Sequence, residues 1–393
     1  MSASTLPPIM GTYGRFPITL VEGKGTEVFD DKGQRYLDFL GGISVLPLGH
    51  APDAPLKTLI EQANKLWHVS NLYHIQPQQD LAQKLVDSSC FDQVFFCNSG
   101  TEAVEAALKL ARISSEKSHG KSRSTFVAMN KSFHGRSFGS LSVTGQESYQ
   151  APFRPLVPEV RFADFGDIAS LKEQMADDVA AVIMEPMQAE GGLNMPPEGY
   201  LAEVRKICDE HGALLIYDEV QVGIGRLGSL FAYQLFGVEP DIMTLAKGLG
   251  GGFPIGACLA KAEISQHFVP GTHASTFGGN PLASATALAV LNAIEDGDVI
   301  EKSQAKAKTI EDFMAKACAK IDGALEPRGK GMLQGIRFDK PVLPLLNHCL
   351  EAGLLVGMAG PNTLRIAPAL NTPDDLLEEG LNVLFTCIEK FSS

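Results

Sequence analysis

Apolar residues fall in short blocks along this chain, separated by polar stretches with a helical period. QVFFC (93–97), TFVAM (125–129), AAVIM (180–184), ALLIY (213–217), DIMTL (241–245) and GACLA (256–260) are compact runs rich in β-branched or aromatic residues. Runs of this kind predict strands buried on both faces, while EAVEAALKLAR (102–112) and LAEVRKICDEHG (201–212) predict amphipathic helices between them. Alternation of the two indicates an α/β fold around a mainly parallel central sheet. In such a fold ligands bind outside the carboxyl ends of the strands, so the residues after each run are the ones to search for chemistry.

The two ends read differently. Residues 17–42 give short strand-like pieces broken by Gly23, Gly25, Gly33 and Gly41, and beyond about residue 290 a long helical pattern leads to GMLQGIRF and TLRIAPAL. The expected division is a large domain over 51–289, with 1–50 and 290–393 together making one smaller α+β domain. No internal repeat or low-complexity tract interrupts this.

Composition narrows the partners. The chain has 393 residues, 45% hydrophobic and 20% charged, with 33 basic against 46 acidic side chains and a net charge of −13. That balance, without a long basic run, argues against nucleic acid and anionic membrane as partners. No window approaches 18 consecutive apolar residues, and MSASTLPPIMGTYGRFPITL lacks the basic head and apolar segment of a secretory leader, so a cytoplasmic protein is expected. The seven cysteines are scattered, with no C-x-x-C pair, and read as reduced thiols rather than metal ligands or disulfides.

Lys247 stands in TLAKGLGGGFPIGA, a lone cation among apolar residues and glycines at the end of a strand run. It is not a phosphate-loop lysine, because Ala246 precedes it and Gly248 follows where Gly-Lys-Ser/Thr is required. The one Gly-Lys-Ser, at 120–122, lacks its upstream glycine, since Ser115 occupies that place. A lysine in such surroundings is expected to lose its proton more easily and become a nucleophile. One strand earlier, Asp218 ends ALLIYD, where an acidic side chain can keep a pyridine nitrogen protonated. After QVFFC, Ser99 or Asn98 can cap a helix whose first turn, with Gly100 and the Thr101 hydroxyl, suits a phosphate; Glu105 and Lys109 are expected to pair on its outer face. Gly223, Gly225 and Gly228 also spell G-x-G-x-x-G behind a strand, a dinucleotide signature weakened by Asp218 and Glu219 ahead of the glycines and by Arg226 within them.

NSGTEA, SFHGR, EPMQAEGG, DEVQVGIGR, TLAKGLGGGFPIGA and GTHASTFGGNPLA, in this order, resemble the class III (subgroup II) pyridoxal-phosphate aminotransferases, on the acetylornithine side of that family. The resemblance runs from GQRYLDFLGGI to LRIAPAL. It implies the fold-type-I architecture, pyridoxal 5′-phosphate as cofactor, small amino-acid and 2-oxo-acid substrates, and a homodimer. By position, Lys247 matches the lysine that bonds the cofactor and shuttles the proton, and Asp218 the partner of the ring nitrogen. Gln221 matches the contact to the ring's 3′ oxygen, Phe133 and Val220 the two faces of the ring, and Gly100 and Thr101 the phosphate cradle. Ser275 and Thr276 resemble residues that reach the neighbouring subunit's site. Arg136 resembles the arginine for the α-carboxylate of acetylornithine, Arg365 the one for glutamate and 2-oxoglutarate, and Glu190 the switch that pairs with Arg365 when the donor is an ω-amine.

The implied reaction moves the terminal amine of N2-acetylornithine to 2-oxoglutarate, a step of arginine biosynthesis. Ornithine, 4-aminobutyrate and succinyldiaminopimelate stay open as donors, as does, from a different class, a nicotinamide-dependent dehydrogenase resting on the three glycines. Ala189, Val222 and Leu227 stand where the family has a glycine and two threonines, and Leu46 and Pro47 also depart from its pattern. All five are expected near the substrate mouth.

Overall fold

The structure, a computed structural model, describes residues 8–120 and 123–392. The first seven residues, Ser393 and, from the Gly-Lys-Ser triplet, Lys121 and Ser122 lie outside the described residues. Three N-terminal strands, β1 (Leu20–Lys24), β2 (Glu27–Asp30) and β3 (Arg35–Asp38), form an antiparallel ribbon. The central sheet follows, from β4 (Gln93–Cys97), β5 (Thr125–Met129), β6 (Val160–Ala163), β7 (Val179–Met184), β8 (Leu214–Asp218), β9 (Ile242–Leu245) and β10 (Gly256–Ala260), in the order β4-β10-β9-β8-β7-β5-β6. Among these β10 alone runs opposite to the other six, so the sheet is mainly parallel, as the sequence pattern indicated.

Period-2 alternation explains why the strand runs are apolar throughout. Phe126 and Ala128 of β5 pack with Val104 and Leu108 of the Gly100–His119 helix on one face, while Val127 and Met129 join the larger core on the other. Every one of the six expected runs is a strand, offset by at most one residue. β6 was not anticipated: it is an edge strand of only VRFA, half-buried over most of its length.

After the long helices Pro281–Asp296 and Val299–Lys320 come β11 (Ala324–Lys330), β12 (Leu333–Phe338), β13 (Leu354–Leu355), β14 (Gly357–Met358) and β15 (Thr363–Ile366). β11, β12, β15 and β14 make an antiparallel sheet, whereas β13 crosses back and pairs in parallel with β3. Ala367 N–H donates to Phe39 and Leu370 N–H to Pro47, which ties the segment after β15 to the N-terminal ribbon.

Candidate active site

The segments following β4, β5, β7, β8 and β9 meet at one edge of the central sheet. Because β10 is antiparallel, the residues before it, Gly252 to Ile255, reach the same edge. Together they enclose a cavity of about 430 Å³. Gly100, Thr101, Phe133, Arg136, Asp218, Val220, Gln221 and Lys247 all border it, so eight residues singled out from separate motifs come together.

Lys247 starts a single 3₁₀ turn, Lys247–Leu249, two residues beyond the end of β9. Its φ is +42°, a left-handed conformation that costs a side chain some strain and that the fold imposes at this position. Although the side chain borders the cavity, the surrounding protein desolvates its amine. Burial, together with the positive field of Arg365, lowers the pKa to about 8; Glu190, Asp218 and Glu185 pull the other way and lose. An uncharged fraction on the order of a tenth is therefore present at pH 7, far more than for a free lysine.

Asp218 is fixed by three donors. Oδ1 accepts from Val220 N–H (3.0 Å) and Thr244 Oγ1 (3.2 Å), and Oδ2 lies 2.8 Å from Nδ1 of buried His134. The sequence reading left His134, 84 residues away along the chain, as a structural neighbour without a role; its Nε2 is buried without a partner among the described residues. Glu185, at the end of β7, escaped that reading. It borders the cavity, its carboxyl accepts from the N–H groups of Phe133 (3.2 Å) and Ala189 (3.1 Å), and burial, with Asp218 nearby, pushes its pKa well above the carboxylate range.

At the far end, Ser99 caps the Gly100–His119 helix by accepting from Glu102 N–H, and Glu102 in turn accepts from Asn98 N–H (2.6 Å). The first-turn N–H groups of such a helix have no intrahelical acceptor. Thr101 Oγ1 meets the hydroxyls of Ser137 (3.0 Å) and Ser140 (2.6 Å). A Cβ on Gly100 would lie 2.8 Å from Val220 Cγ1, and one on Gly135 would lie 2.5 Å from Thr101 Oγ1, so both glycines keep this end open. Glu105 and Lys109 do not pair as expected: Glu105 accepts from Ser140 N–H, and Lys109 meets His273, because tertiary neighbours outcompete the helix face.

Arg136 lies at the exposed rim, its guanidinium 3.7 Å from the Tyr149 ring centroid and 5.6 Å from that of Phe133. Behind the cavity wall buried Arg365 pairs with Glu190 and donates to Gln221 Oε1 (2.9 Å), while Gln221 Nε2 donates to Glu190 (2.9 Å). Burial would raise the Glu190 carboxyl, but Arg365, then Lys247, outweigh it and hold it below its usual value. Ser275 and Thr276 do not border the cavity; Ser275 Oγ is 3.4 Å from Asn98 Nδ2, and Thr276 is exposed.

The departures from the family pattern are mostly not at the mouth. Ala189, Val222 and Leu227 meet in one buried apolar cluster with Leu333 and Ala367, and of the three only Val222 also borders the cavity. Leu46 packs toward Gly252, and Pro47 offers its carbonyl to Leu370. The glycine-rich segment from Gly223 to Gly228 runs as turns, and the next helix, Ala232–Phe236, begins only beyond it. The segment thus lacks the helix N-terminus that a dinucleotide pyrophosphate requires.

The cavity suits pyridoxal phosphate on its own geometry: a lysine amine that loses its proton more easily than usual, a fixed carboxylate, Phe133 and Val220 on its lining, and a glycine-opened helix start. The family model for class-III aminotransferases matches residues 10–388. The acetylornithine aminotransferase of Clostridium acetobutylicum is 45% identical over 95% of this chain and 97% of its own. The succinylornithine transaminase of Photorhabdus laumondii is 43% identical over 94% and 93%. Among solved structures, the ornithine aminotransferase of Toxoplasma gondii superposes with a TM-score of 0.94 at 30% identity, covering 98% and 93% of the two chains. The N-acetylornithine aminotransferase of Stenotrophomonas maltophilia gives 0.84 at 37%, covering 96% and 97%. The chain belongs to the class-III aminotransferase family and is a pyridoxal-phosphate-dependent transaminase.

Proposed function

We propose that this enzyme moves the terminal amine of N2-acetylornithine to 2-oxoglutarate, giving N-acetylglutamate 5-semialdehyde and glutamate, in two half-reactions that share one site. The bound cofactor supplies an electron-withdrawing ring. Lys247 anchors that group through its uncharged amine and moves the proton at the substrate carbon bearing the amine. Asp218, oriented by His134, Val220 and Thr244, holds a proton on the ring nitrogen; Phe133 and Val220 orient the ring, and Gly100 and Thr101 hold the phosphate. Arg136 at the rim takes the α-carboxylate of the ω-amine donor.

The observation that carries the substrate reading is the Arg365–Glu190–Gln221 network beside Lys247. With Glu190 in place the buried guanidinium is neutralised and the site accepts an ω-amine; when Glu190 swings away, Arg365 is free for the α-carboxylate of glutamate or 2-oxoglutarate. That network favours glutamate as the partner; the choice of acetylornithine as donor is supported by Arg136 at the rim and by the relatives named for it. A panel of ω-amines against 2-oxoglutarate tests it. Acetylornithine is expected to give the highest kcat/KM, and a higher value for ornithine, 4-aminobutyrate or succinyldiaminopimelate would reassign the donor.

The proposal includes a homodimer. Exposed Trp67, Leu72, Tyr73 and Phe277 share a face, since the His68 and Phe277 rings are 5.2 Å apart and Asn71 bonds the Ser275 and Gly278 carbonyls. Thr276 on that face would then reach the partner's cofactor phosphate, and Ser275 the partner's substrate. Pairing of β3 with β13 supports one smaller domain built from 1–50 and 290–393 around the 51–289 domain. A cytoplasmic setting accords with seven free thiols.

A further inference from the structure

Arg226 has no part in the reaction described above, yet among the described residues it is the bulkiest of the fully buried side chains, only 2% exposed. No carboxylate pairs with it among the described residues. Nη1 donates to the carbonyls of Met332 (3.2 Å) and Pro368 (2.6 Å), and Nη2 has no partner among the described residues. Burial alone lowers its pKa to about 10, so it stays charged at neutral pH. A buried guanidinium with no counter-charge is costly, and an apolar side chain of similar volume would fill the space without that penalty. Packing therefore does not account for it.

Its two acceptors flank the strand that carries Arg365. Met332 leads into β12, which pairs with β15 in a register that sets Gly335 opposite Arg365, and Pro368 follows Arg365 by three residues. The Arg226 carbonyl also accepts from Met332 N–H (2.9 Å). On its other side, Arg226 belongs to the loop that starts at Gln221, which itself holds the Arg365 guanidinium. A closed circuit results: Arg365 to Gln221 through side chains, Gln221 to Arg226 along the chain, Arg226 to Pro368 through Nη1, and Pro368 back to Arg365. Close approach is built in, since a Cβ on Gly331 (φ +61°) would lie 2.6 Å from the Arg226 carbonyl oxygen.

We propose that Arg226 is a positioning residue that sets where the Arg365 guanidinium stands relative to Lys247, and so tunes affinity for the dicarboxylate partner. It rests on the reading of Arg365 as the dicarboxylate contact. Glutarate, which has neither an amine nor an oxo group and cannot transaminate, reads this affinity in the holoenzyme by calorimetry. R226M is expected to weaken glutarate about tenfold while the half-reaction with acetylornithine, in which Glu190 covers Arg365, changes by no more than about twofold. In an R365A background the same substitution is expected to have no further effect on glutarate, the non-additivity of residues acting as a unit. Should R226M fail to fold, R226K keeps the charge, alters the donor geometry and enters the same cycle. Unchanged glutarate affinity in R226M alongside a clear loss in R365A overturns the proposal, as do additive losses or equal damage to both half-reactions. Unchanged affinity in R365A itself overturns the reading of Arg365 beneath it.

Discussion

At the scale of single residues, the proposed chemistry depends on Lys247, an amine that its surroundings make easier to deprotonate. Its folded pKa of about 8 lies below the usual lysine value of 10.5, so the unfolded chain binds more protons between those values and the stability of the cofactor-free protein is expected to rise with pH across that window. Lys247→Met removes the penalty and is expected to stabilise the cofactor-free protein at pH 7 by roughly 1–3 kcal/mol while abolishing transamination. Denaturant unfolding at pH 7 and pH 9.5 checks this, and a destabilised variant would contradict it. Lys247 and Asp218 were legible because each directly follows or ends an apolar run where ligands bind. His134 and Glu185 were not: one is defined by a bond across 84 positions, the other by burial beside Asp218, and neither leaves a local pattern.

At the scale of elements, the site is a set of strand ends, and its tolerances are those of close backbone approach. Gly100→Ala places a methyl 2.8 Å from Val220 Cγ1, which must move toward the ring slot. We expect cofactor affinity to fall at least about tenfold with little change in the stability of the cofactor-free protein, since Ala suits a helix first turn better than Gly. Equilibrium dialysis against pyridoxal phosphate measures it, and wild-type affinity would show the approach is not tight. Strand existence was legible from apolar runs of strand length, and the helix start from the capping residues Asn98 and Ser99, of which Ser99 makes the cap. The reversed direction of β10 was not, because a fully buried strand reads the same both ways. Nor was the meeting of Ala189, Val222 and Leu227, which only tertiary packing brings into one cluster.

At the scale of the whole molecule, the proposed homodimer would share its two sites across the exposed apolar face. Phe277→Asp puts a charge on the exposed apolar face and is expected to shift light-scattering mass toward a single chain and to remove most activity; an active monomer would count against a shared site. The overall plan was legible as an α/β fold because the sheet's two-sided burial leaves continuous apolar runs, whereas the pairing of β3 with β13 joins residues too far apart for any window to register. The most direct test of the central claim is chemical. Borohydride reduction of the yellow holoenzyme, followed by peptide mass analysis, is predicted to leave the pyridoxyl phosphate mass on the peptide bearing Lys247 and to bleach the visible absorbance. A label on any other lysine, or none in a protein that still transaminates, would contradict it.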